Sequence, residues 1–138
     1  MKVGYWLDWN SDTASEMEEH TMYLQEVVFD GKIVTPVEIT HWTQVERFDG
    51  DLLTFDYGGM TGGYGPNPIV PELIRGVKAW CRKNPDRLAL IWCTFKPEYY
   101  LEDFKANGGK VPDNLRCWHY TTHDAVDAAL REFYKDFD

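Results

Sequence analysis

The sequence has no apolar run approaching the roughly 18 residues that a membrane-spanning helix needs. Its first segment, MKVGYWLDWNSD, carries a carboxylate too early for a secretory leader. A cytoplasmic protein with no membrane partner is the expectation. Cysteine is scarce: Cys81, Cys93 and Cys117 are odd in number and lack CxxC spacing. That argues against a disulfide framework and a zinc knuckle, and the three read first as buried thiols. Basic residues are also in deficit. With 14 Lys and Arg against 23 Asp and Glu, the formal charge is −9, which disfavours nucleic acid and anionic lipid, since both require cations to displace counterions. The histidines, His20, His41, His119 and His123, have no metal-ligand spacing. No repeat, low-complexity tract or linker interrupts the chain.

What is present suits one packed domain over residues 1–138. The chain is 43% apolar, with six Trp, eight Tyr and seven Phe, and a domain of this length buries roughly two-thirds of its unfolded surface. Three runs, KVGYWLDW (2–9), DLLTFDY (51–57) and LALIWCTF (88–95), are apolar at successive positions and so on both alternating faces. That is the pattern of central strands covered by helices on both sides. LRCWHY (115–120) is a fourth, weaker strand. Between them, Val70, Leu73, Ile74, Val77, Trp80 and Cys81 recur at helical spacing, and Asn84 with Pro85 stops that helix. A shorter helix fits PEYYLEDFKANGG, ended by its Gly pair. A last one begins at TTHD, where Thr121 and Asp124 have capping-box spacing, and carries Val126, Ala129, Leu130, Phe133 and Phe137 on one face.

The alternation implies an α/β protein, a three-layer α/β/α sandwich on a mainly parallel sheet. One segment departs from it. In YLQEVVFDGKIVTPVEITHW, Asp30-Gly31 lies between two β-rich runs, which predicts an inserted β-hairpin after a short helix at about 13–21. Pro36 limits the second run to an edge or a break. The other reading extends the helix to Leu24.

In a parallel sheet, ligands sit beyond the carboxyl ends of the strands. Asp8 closes the first strand, Asp56 nearly closes the central one, Thr94 closes the next, and His119 with Thr121 follows the last. After Asp56 comes the glycine-rich run FDYGGMTGGYGPNP (55–68), with Gly58, Gly59, Gly62 and Gly63 as candidate ligand-binding positions. Two carboxylates, a hydroxyl and such a loop suit a hydrated Mg²⁺ with a phosphoryl or similar anion. Asp8 and Asp56 would hold the metal. Equally, an Asp after a strand often caps a turn. The loop lacks the Gly-Lys-Ser/Thr of a P-loop and the GxGxxG of a dinucleotide fold.

From about Glu46 to Phe133, the runs ERFDGDLLTFDYGGMTGG, PELIRGVKAW, LALIWCTF and YLEDFKANGG resemble the receiver domains of response regulators. The resemblance implies a flavodoxin-like fold with Asp56 as phosphoacceptor, Asp8 in the Mg²⁺-binding acidic pair and Thr94 as the switch hydroxyl. The sequence departs from the family at the second acidic residue of that pair, at the Lys expected after the last strand, and in the length of the glycine loop. LALIWCTF after DLLTFDYGGMTGGYG also looks like the class I amidotransferase superfamily, which implies Cys93 as nucleophile with His119 or His123 as base. Residues 94–96, Thr-Phe-Lys, are bulkier than that family's strained turn accepts.

The expected function is a small non-enzymatic regulatory or protein-binding domain, with another protein as partner and Mg²⁺ as candidate cofactor. The alternatives are a Cys93 enzyme and an acidic inhibitor that works by contact alone. No feature of the sequence sets an oligomeric state.

Overall fold

The computed structural model describes residues 1–8, 12–61, 68–93, 97–106 and 109–137. Its strands are β1 (Lys2–Trp6), β2 (Thr35–Glu38), β3 (Leu52–Asp56), β4 (Leu88–Trp92) and β5 (Leu115–Trp118). They form one five-stranded sheet in the order β2-β1-β3-β4-β5, and every pairing is parallel. This is the flavodoxin-like order, whose direction reverses between β1 and β3. Apolar residues at successive positions fill both faces. Leu53, Phe55 and Ile91 pack with α2 (Trp42–Glu46), α4 (Pro71–Lys83) and α5 (Glu98–Ala106). Tyr5, Leu52 and Leu90 pack with α1 (Thr13–Met22) and α6 (His123–Phe133). A one-turn helix, α3 (Tyr57–Met60), follows β3 directly. The result is the expected three-layer sandwich. Among the described residues no helix is long and apolar enough to cross a membrane.

The segment around Asp30-Gly31 is not a hairpin. Helix α1 runs on without a break into a π-helical stretch, Tyr23–Val28, and Asp30 (φ 51°) and Gly31 (φ 92°) terminate it. The Gly31 amide donates back to the Gln25 carbonyl at 2.7 Å. Two residues with positive φ serve a helix end as well as a tight hairpin. Burial decides between them: Leu24 and Val28, four apart, are both fully buried against the sheet, while Val27 is 56% exposed. Tertiary packing overrides the β preference of Val27-Val28-Phe29.

Pro36 lies on the edge strand β2. The Thr35 amide donates to Met1 O at 2.7 Å and the Ile39 amide to Tyr5 O at 2.9 Å, so the odd positions bond inward and the Pro36 nitrogen faces the free edge, where no ladder bond is lost. The capping box at Thr121 does not form either. Helix α6 starts after Thr122, whose Oγ1 donates to the Cys117 carbonyl at 2.8 Å, and Thr121 Oγ1 is engaged by His119 Nδ1 at 2.7 Å.

Candidate functional site

Strands β1 and β3 flank the point where the sheet order reverses, and the structure brings Asp8 and Asp56 together there. Asp56 ends β3 and caps α3: its Oδ1 accepts the Gly58 amide at 2.8 Å and the Gly59 amide at 3.4 Å. Gly59 is required by close approach. A Cβ on Gly59 would lie 2.2 Å from the Leu7 carbonyl oxygen, so no side chain fits, and Trp6 Nε1 donates to the Gly59 carbonyl at 2.9 Å to hold this turn against β1. A Cβ on Gly58 would sit 3.0 Å from Asp8 Oδ2 and 3.1 Å from Asp56 Oδ1. The missing side chain thus leaves a small cradle between two carboxylates.

A third carboxylate comes from α1. Asp12 caps that helix, its side chain accepting from the Ser15 amide at 3.2 Å, and this fixes the rotation of the first turn. Glu16, four residues on, is hydrogen-bonded side chain to side chain with Asp56. Asp8, Glu16 and Asp56 share a pocket of about 330 Å³ with Glu19 and His20. Burial raises the Asp56 pKa from 3.8 to about 8, with further upward pushes from the Glu16 hydrogen bond, the Glu16 charge and the Asp8 charge, against the Gly59 amide. A carboxylic acid so placed keeps its proton at neutral pH and shares it with Glu16.

This donor set fits a hydrated Mg²⁺, which takes one or two carboxylates and retains several waters. Asp8 and Asp56, on either side of the Gly58 cradle, would be the ligands. Among the described residues no group of three or more His, Cys, Asp or Glu is placed to hold a metal ion, so only a site of one or two carboxylates completed by water remains.

Beside the acid pocket lies an aromatic wall on the same sheet face, since Asp56 is in register with Trp92 and Trp92 with Trp118. His20 stacks on Trp92 with centroids 4.3 Å apart, and burial lowers the His20 pKa against the opposing pull of Glu16 and Glu19. Tyr23 meets both indoles edge-on. The buried Asp127 of α6 accepts from the Tyr23 hydroxyl and, at 3.2 Å, from Trp118 Nε1. Glu16, His20 and Asp127 all escape sequence reasoning. Only Glu16 had a signal available, its place one turn after a capping Asp on a helix leaving β1.

The remaining candidates lie elsewhere. Thr94, Gly62 and Gly63 fall outside the described residues. Cys93 and His119 belong by alternation to the opposite sheet face from Asp56. Cys93 Sγ and Cys117 Sγ are in contact at 2.8 Å, and hydrogen bonding of the protonated Cys93 thiol to Cys117, followed by burial, pushes the Cys93 pKa far up. His119 is buried with its Nδ1 between the Thr121 hydroxyl and amide, which makes it a turn cap. In the native protein Cys93 is expected to react slowly with iodoacetamide near neutral pH, because neither thiolate nor access is provided. Peptide mapping after a timed reaction checks this, and rapid labelling of Cys93 alone would restore it as a nucleophile. No protein-family model matches the chain, and no curated protein matches it.

Proposed function

We propose that this chain is a small non-enzymatic regulatory domain, receiver-like in its use of the fold, that binds another protein at the carboxyl edge of its sheet under control of the Asp8–Glu16–Asp56 pocket. The observation that carries this reading is the meeting of Asp8, Glu16 and Asp56 in one pocket at the carboxyl ends of β1 and β3, where burial and the neighbouring carboxylates raise the Asp56 pKa and set a proton in competition with a cation. Loss of the shared proton leaves three carboxylates facing one another. Bound Mg²⁺ would supply the positive charge that lets them stay ionised together. Either event changes the force between Glu16 on α1 and the end of β3, so the state of the pocket is felt by the helix that borders it. For the partner, Tyr120 follows β5 with 74% of its surface exposed, and Tyr99, in the first turn of α5, is 38% exposed. Both leave the same edge of the sheet, and tyrosine is favoured at the centres of protein interfaces. No covalent step is needed.

Thermal melts at pH 8 with and without Mg²⁺ test the control element. Mg²⁺ is expected to raise the wild-type Tm and to leave Asp56→Asn unmoved, while apo Asp56→Asn melts at or above apo wild type, since Asn keeps the capping oxygen and removes a repelling charge. If Mg²⁺ moves neither melt, and Asp56→Ala loses about 0.5–2 kcal/mol as a capping residue does, Asp56 is a turn cap and the control element is absent.

A further inference from the structure

At the opposite edge of the sheet the charge reverses. Four of the 14 basic residues of this acidic chain, Lys78, Arg82, Lys110 and Arg116, line one cleft of about 610 Å³ between the C-terminal half of α4, the approach to β5 and the end of α6. They come from three separate segments. Asp113 is the one carboxylate in the lining, and its carbonyl oxygen, not its side chain, accepts from Arg116 Nη1 at 2.6 Å. Arg82, Lys110 and Arg116 form no ion pair among the described residues. Lys78 and Arg82, four apart on α4, repel each other, and burial together with this repulsion lowers the Lys78 pKa. A cation in the last turn of α4 complements the helix dipole, which accounts for Arg82 but not for Lys110 or Arg116.

The cleft is also held in shape. Asn114 Nδ2 donates to the carbonyls of Cys81, Asn84 and Arg87 at 3.0–3.1 Å, pinning the end of α4 and its following loop to the start of β5. Pro112 and Phe133, the latter 40% exposed, add an apolar wall. Volume, three cations without carboxylates and an exposed ring together specify a ligand. The size lies within the range of small-molecule sites, the two guanidinium groups suit phosphoryl oxygens, and the ring offers a stacking surface.

We infer that this cleft binds a phosphorylated small molecule of mononucleotide size, with two or more negative charges on the cations and a flat ring against Phe133. The site is independent of the acidic pocket. Isothermal titration calorimetry with inorganic pyrophosphate and with adenosine diphosphate as probes tests it. Both are expected to bind saturably, the nucleotide at least threefold tighter because its ring covers Phe133. Arg82→Glu and Lys110→Glu, both at exposed positions, are each expected to weaken binding tenfold or more, while Lys135→Glu and Asp56→Asn leave it unchanged. Absence of saturation at millimolar probe, or wild-type affinity in both cleft variants, would overturn the assignment. Pyrophosphate binding as tightly as the nucleotide would overturn the role of the ring. Loss of binding in Asp56→Asn would overturn the independence of the two sites without touching the proposed control element.

Discussion

Trp80→Ala is expected to lower the unfolding free energy by about 3–5 kcal/mol, the range for truncating a large buried aromatic. Trp80 is fully buried on α4, packs near Phe48 with centroids 6.3 Å apart, and donates from Nε1 to the Phe48 carbonyl at 2.8 Å. The substitution removes the ring and leaves that carbonyl without its donor, so two penalties add. Urea denaturation monitored by far-UV circular dichroism measures it. A change near zero would mean that the apolar stripe of α4 does not face the sheet.

The second large effect is on the pH dependence of stability. Asp56 ionises near 3.8 in the unfolded chain and near 8 in the folded one, so the folded state binds the proton more tightly. The stabilisation is therefore complete below about pH 4 and is lost as pH rises from there through about 8. Each pH unit between those two values is worth about 1.4 kcal/mol, so the full loss is at most on the order of 6 kcal/mol, and smaller to the extent that water reaches the pocket. Other groups titrate over the same window, His20 among them, so the informative quantity is the difference between wild type and Asp56→Asn. That difference should shift steadily toward the Asn variant as pH rises from 5 to 8.5. Parallel profiles for the two proteins would mean that Asp56 holds no unusual proton.

Much of this was legible from the chain alone because central parallel strands leave a strong mark. Leu52-Leu53, Leu88 to Trp92 and Val3 to Trp6 are apolar on both faces, and few other environments permit that. Asp56 stood out for a related reason, a carboxylate at the end of such a run with a glycine pair close behind it. The stretch 23–31 misled because its local preferences are those of strands, and the competing term, burial of Leu24 and Val28 together, depends on a sheet that the local sequence does not display. Glu16, His20 and Asp127 were hidden for the same reason. Each sits on a helix whose rotation about its axis decides which side chains meet the strand ends. Asp127 meets Tyr23 from 104 residues away. The basic cleft was equally invisible: an overall charge of −9 masks a local cluster whose members are drawn from three segments.

The most direct measurement is a pH titration of the Asp56 side-chain carboxyl by ¹³C NMR, with and without Mg²⁺. A midpoint near 8 is predicted, moving to lower pH when Mg²⁺ competes with the shared proton. A midpoint near the ordinary 3.8, unchanged by Mg²⁺, would contradict control of the domain by this pocket.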